Sequence, residues 1–134
     1  MRRVYLLGVV AALAVLAAAV FSASAGARTE SRFSVVADPT AGHAHANAFH
    51  LRGRLRDPFD RDDIVGHFRA TFKRGGHFRG IFNFGNGKLK ANGDQARHRV
   101  PIVGGSGVWN GAAGKLKIHN LSHNRALLTF VVVQ

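Results

Sequence analysis

A chain of 134 residues provides for one domain. Its 19 Lys and Arg against 7 Asp and Glu give a formal charge of +12, which draws polyanions such as nucleic acid, anionic lipid surfaces or acidic wall polymers and says nothing about fold. Cysteine is absent, which excludes disulfides, thiolate chemistry and Cys-ligated zinc together.

The chain begins with Arg2 and Arg3 ahead of an unbroken apolar run from Val4 to Phe21, closed by the small residues Ser22-Ala23-Ser24-Ala25. This is the order of a secretory signal peptide, with residues 1–25 removed after Ala25. The alternative is an uncleaved anchor, because a run of that length falls just inside what a bilayer requires. The Arg2-Arg3 pair also faintly resembles a twin-arginine export signal. Either way the domain is expected to be secreted or extracytoplasmic, or membrane-anchored if the signal stays, with no membrane partner once it is cleaved. Losing Arg2 and Arg3 leaves a formal +10 on the remainder.

Residues 26–31 are small and polar and read as a flexible tail; 32–134 form the expected domain. Arg32 to Val36 reads as a short strand ending at the turn pair Asp38-Pro39, followed by a loop through Asn47. In that loop His43 and His45 would point the same way if extended, with His50 nearby. A metal pair needs a secure third ligand, so solvated loop histidines are the favoured reading and no metal is expected. From Ala48 to Arg56 the period is two: Phe49, Leu51, Gly53 and Leu55 share one face, and His50, Arg52, Arg54 and Arg56 the other. Arg52, Arg54 and Arg56 of that row, together with Arg97 and Arg99, are the candidate polyanion-binding set.

Asp57 to Asp63 holds four of the seven acids. Asp62 and Phe68 stand where an EF-hand loop needs glycine and glutamate, so that motif is excluded, and a turn whose acids pair with neighbouring arginines is expected. Two similar runs follow, Gly66-His67-Phe68-Arg69-Ala70 and Gly76-His77-Phe78-Arg79-Gly80, read as neighbouring strands joined by Lys73-Arg74-Gly75. Phe68, Ala70 and Phe72 lie on one face, as do Phe78, Gly80, Phe82 and Phe84. These rows are either core or the wall of a ligand cavity. Phe68, Phe78, Phe82 and Phe84, with Asn83, are the candidate ligand-binding residues. Gly85-Asn86-Gly87 signals a hairpin, and Asn92-Gly93-Asp94 a further turn.

From Arg99 to Asn120 the chain reads strand, glycine-rich corner, strand, with Lys115, Lys117 and His119 alternating with Leu116 and Ile118. A dinucleotide fingerprint fails because Asn110 replaces its third glycine and no helix follows. A phosphate loop fails because neither Gly87-Lys88 nor Gly114-Lys115 has the required glycine before it or hydroxyl after it. A tight bend between strands is the favoured reading. The chain closes on Ala126 to Gln134, apolar on both faces, so one face is expected to line the core and the other to be covered by an N-terminal segment or a second subunit. Strand candidates separated by Gly and Asn turns, with no helix after the leader, indicate an all-β domain. Seven or eight such candidates are present, and a closed antiparallel barrel would remove their exposed edges.

The corner carries a resemblance. Gly104-Gly105-Ser106-Gly107-Val108-Trp109, followed by Gly111-Ala112-Ala113-Gly114, resembles the G-G-[ST]-G-x-[aromatic]-x-x-A-x-G corner of the allene oxide cyclase and dirigent barrel superfamily. Phe82 to Leu89 and, more faintly, Asp57-Pro58-Phe59 extend it, so it covers most of the chain after residue 50. The resemblance implies an eight-stranded barrel, often a trimer, that holds a reactive molecule in a productive shape without metal or cofactor. Gly104, Gly105, Ser106, Gly107, Trp109, Gly111 and Gly114 are then a structural motif. Ala113 replaces an arginine common in dirigent members and Val108 a charged residue; no counterpart exists for a cyclase cysteine, and Arg32 to Ala37 contains no acid. No catalytic residue is assigned, and Asp38, Asp57, His67 and Asn83 are the polar candidates near the implied mouth.

Three functions remain: a barrel binding a small apolar or aromatic ligand and steering its cyclisation or coupling; a cationic protein binding polyanions or cell-surface polymers; and a cofactor-independent cyclase or isomerase.

Overall fold

The computed structural model describes residues 28–94 and 98–134. The leader 1–25 and Arg97 lie outside the described residues. Eight strands follow one another: β1 (Glu30–His45), β2 (Ala48–Arg56), β3 (Ile64–Lys73), β4 (His77–Asn83), β5 (Gly87–Asp94), β6 (Arg99–Gly107), β7 (Ala113–Asn120) and β8 (Ala126–Val133). Each pairs antiparallel with the next and β8 closes on β1, so the sheet is a closed barrel.

Alternation along each strand drives side chains inward and outward in turn. Val35, Leu55, Phe82, Leu89, Val100, Leu116, Phe130 and Val132 point inward and are almost completely buried. Each contributes roughly 1.5–3 kcal/mol by leaving water. Polar residues fill most of the outward positions on β2 to β5, Ile81 being an exception. On β8, Leu128, Phe130 and Val132 face the core. Val131, outward between Arg32 of β1 and Lys115 of β7, is only 4% exposed.

β1 departs most from the sequence expectation. It begins at Glu30, so Glu30 and Ser31 are strand rather than tail, and it runs through Asp38-Pro39 to His45 instead of stopping there. The proline is accommodated by a register shift between Pro39 and Ala41, a bulge at Thr40 that bends the strand. Opposite Pro39 lies Gly53, where a Cβ would collide with the Asp38 carbonyl oxygen and the Pro39 Cα. Glycine there is what lets β1 press against β2 as it bends.

The glycine corner is also strand, not a tight bend. β6 continues through Gly104 to Gly107, with Val103 as the extra residue of a bulge between the pairs Lys90↔Gly104 and Ala91↔Ile102. Arg99 to Pro101 pair with β7, Ile102 pairs with both neighbours, and Gly104 to Gly107 pair with β5 alone and lead into the turn that places Trp109. Asn92 to Asp94, expected as a turn, instead extend β5 opposite His77 to Arg79. The hairpin at Gly85-Asn86-Gly87 is present, with Asn83 Oδ1 accepting from the Gly85 amide.

Candidate functional site: a cavity at one end of the barrel

The two ends of the barrel are built differently. Where β1 starts and β8 finishes, aromatic rings interlock. Phe33 stacks on Trp109 at 5.4 Å and on Phe130 at 5.1 Å, and Phe84 meets Phe33, Phe130 and Trp109 edge-on. Below them Phe82 meets Phe130 at 5.1 Å. Trp109 is buried, its indole N–H has no hydrogen-bond partner among the described residues, and it serves here as an apolar plug. The β2–β3 loop joins this end. In it Asp57 is buried and its Oδ1 accepts from the amides of Phe59 and Asp60. The expected pairing of Asp57 with arginine is therefore corrected: its own turn satisfies the oxygen first.

The other end opens into a cavity of about 830 Å³. Phe68, Ala70, Phe72, Phe78 and Phe82 from β3 and β4 form one wall, Leu51 and Phe49 from β2 another, and Ile118 and Leu128 from β7 and β8 the facing side. Polar groups stand at the rim: Thr40 on the β1 bulge, and Asn120, His123, Asn124 and Arg125 around the β7–β8 turn. His123 and Asn124 both hold positive φ there. Arg125 Nε lies 3.7 Å from Asp38 Oδ1, and Arg56 Nε donates to Asp38 Oδ2 at 2.9 Å, which ties the turn to β1 and β2.

Of the predicted ligand residues, Phe68, Phe78 and Phe82 line this cavity. Phe84 does not; its ring belongs to the plug at the opposite end. Asn83 projects outward, as does His67 opposite it, and Asp38 does not line the cavity but is engaged by Arg56 and the rim residue Arg125. The polar candidates thus do not meet at the mouth. Phe49, Leu51, Ile118, Leu128 and the rim residues were not singled out in the sequence. Residues 120–125 read only as a polar turn, and nothing local reports which barrel end a turn closes.

Of the predicted polyanion residues, Arg52 and Arg54 are exposed on the outer wall, Arg56 is half-buried against Asp38, and Arg99 is exposed on β6 opposite Lys117. The rings of His43 and His50 lie 5.2 Å apart, with His50 Nδ1 3.1 Å from Thr71 Oγ1. Among the described residues no group of three or more His, Cys, Asp or Glu is arranged to hold a metal ion.

No family model matches this chain, and no curated protein matches it. Solved structures do. A pyocyanin demethylase superposes with a TM-score of 0.62 at 10% identity, covering 78% of this chain and all of that one. A nonspecific heme-binding cyclase, which catalyses a [4 + 2] cycloaddition during neoabyssomicin biosynthesis, superposes with a TM-score of 0.48 at 15% identity, covering 99% of this chain and 76% of that one. What this chain shares with the first of these is the barrel fold.

Proposed function

We propose that this barrel binds a small, largely apolar or aromatic molecule in its open end. The observation that carries this reading is the cavity: about 830 Å³, walled by aliphatic and phenyl side chains and rimmed by a few polar groups. That size and distribution suit a molecule that buries its body and leaves a polar edge at the mouth. The fold likeness to a pyocyanin demethylase supports use of such a barrel on a small molecule. The resemblance of the glycine corner to allene oxide cyclase and dirigent barrels supports a further step, in which the bound molecule is held in one shape while it cyclises or couples. Among the described residues no Asp or Glu lines the cavity, and the titratable groups there, His123 and Arg125, stand at the rim, so the proposed contribution is shape rather than proton transfer deep inside.

The test uses the apolar fluorophore 1-anilinonaphthalene-8-sulfonate. Saturable binding at one site per chain is expected, and Ala70→Trp, which fills the cavity from its β3 wall, is expected to abolish it with the circular dichroism of the barrel retained. Unchanged binding in a folded Ala70→Trp variant would overturn the reading. Export after removal of 1–25 and assembly as a trimer complete the proposal; intact-mass measurement of the recovered protein tests the first, sedimentation the second.

A further inference from the structure

The outer wall of β2 to β5 carries charge that no single strand reveals. Cross-strand register places outward residues in three rows: Arg54, His67, Asn83 and Lys88; Arg52, Arg69, Ile81 and Lys90; His50, Thr71, Arg79 and Asn92. The six Lys and Arg among them are all exposed. No acid stands in these rows. The nearest carboxylates on the flanks are Asp38, opposite Arg54 but bound by Arg56 and Arg125, and Asp94, at the corner opposite His77.

The wall is grooved as well as charged. One groove of about 640 Å³ runs between Arg52, Arg54, His67, Arg69 and Lys88; a second of about 560 Å³ is lined by His43, His50, Arg52, Arg69 and Thr71. Both include Arg52 and Arg69, so those two guanidinium groups stand where the grooves meet. With strands about 4.8 Å apart and alternate residues about 6.7 Å apart, the rows form a lattice of cations roughly 14 Å across.

We infer that this wall binds a linear phosphodiester chain, single-stranded nucleic acid being the form tested. Like cations packed this closely repel one another, and a polyanion that releases its counterions relieves that repulsion. Arginine predominates over lysine in the rows, and its planar fork matches two phosphate oxygens at once. Ile81 is the one apolar side chain in the rows and no Phe, Tyr or Trp stands among them, so stacking is left to the His50 and His67 imidazoles and the contacts fall mainly on the backbone. The same lack of apolar groups, on a convex wall with grooves, favours a flexible chain over a bilayer, which rewards an apolar wedge.

The experiment measures anisotropy of a fluorescein-labelled oligothymidylate of about 16 nucleotides with the full chain across a salt series. Four groove cations, Arg52, Arg54, Arg69 and Lys88, predict a slope of log affinity against log salt of about −3. Arg54→Glu/Arg69→Glu is expected to weaken binding at least about tenfold at roughly 0.1 M salt. Lys115→Glu/Lys117→Glu on β7, which changes net charge equally, is expected to stay within about twofold. Arg54→Gln/Arg69→Gln serves if charge reversal impairs folding, and its affinity is expected to fall in the same direction. Equal losses from the β2–β3 and β7 reversals, or absent binding, would overturn the inference. Stronger binding to phosphatidylglycerol vesicles than to the oligonucleotide would overturn it in favour of a membrane surface. Fluorophore binding in the cavity is expected to be the same in all of these variants, so the wall and the cavity are tested separately.

Discussion

The two ends of this barrel use the same residue type for opposite purposes. At the closed end Phe33, Phe84 and Phe130 lie within 5.1 to 5.7 Å of one another, with Trp109 against them. At the open end Phe68, Phe72 and Phe78 stand around a void of about 830 Å³, with Phe49 at the lip 43% exposed. Ring content alone therefore does not separate a core from a cavity. What separates them is whether a turn delivers a further ring: the β6–β7 turn brings Trp109 over one end, whereas the β7–β8 turn brings His123, Asn124 and Arg125 to the other.

Truncating one ring at each end is the strongest way to break this contrast. Phe130→Ala removes a fully buried ring that three aromatic neighbours touch and is expected to cost about 3–5 kcal/mol, a fall in Tm on the order of 15 °C or more. Phe72→Ala, half-buried on the cavity wall and meeting Phe78 at 5.1 Å, is expected to cost about 1 kcal/mol, since only part of its ring has left water. Urea denaturation of both variants checks the ratio. Equal costs would mean that the open end is packed as tightly as the plug.

Backbone contact extends the contrast. Gly114, near the closed end, holds φ at +125°, and a Cβ there would collide with the Val131 carbonyl oxygen of β8. Gly75, in the β3–β4 turn at the open end, holds φ at +97° with nothing within 4 Å of an added Cβ. Gly114→Ala is expected to destabilise by roughly 2–3 kcal/mol, through strain and collision together, and Gly75→Ala by about 1 kcal/mol through strain alone. Thermal melts of the pair read the difference; indistinguishable melts would show that β7 and β8 can part at Gly114 without cost.

The sequence made the strands legible wherever one face is wet and the other dry. Arg52, Arg54, Leu55 and their neighbours on β2, and the His67 to Phe72 and His77 to Phe82 runs, alternate because the wall has an inside and an outside. β1 beyond Asp38-Pro39 was not legible, because the residue that permits it is Gly53, on another strand. Phe82 and Phe84 looked equivalent because periodicity gives a side chain's face and not its height. Height follows from strand tilt and stagger around the whole barrel, which no local pattern records. The cationic wall was legible only at Arg52 and Arg54; Arg69 and Lys88 join them through register across β3, β4 and β5.

The smallest expected effect concerns the rim. Asp38 accepts from Arg56 at 2.9 Å and lies 3.7 Å from Arg125, and all three side chains remain 20 to 34% exposed. Solvent and salt screen such pairs, so Asp38→Asn is expected to cost about 1 kcal/mol or less, and nothing measurable at about 1 M salt. Its informative consequence is at the mouth. Without the carboxylate, Arg125 is no longer drawn toward β1, and its guanidinium becomes a free cation beside the cavity. The sulfonate of 1-anilinonaphthalene-8-sulfonate is then expected to bind a few-fold more tightly at low salt, with the gain lost in Asp38→Asn/Arg125→Gln. A gain that persists in the double variant would assign it to the lost negative charge of Asp38 alone, and the mouth would then select its ligands by shape without help from Arg125.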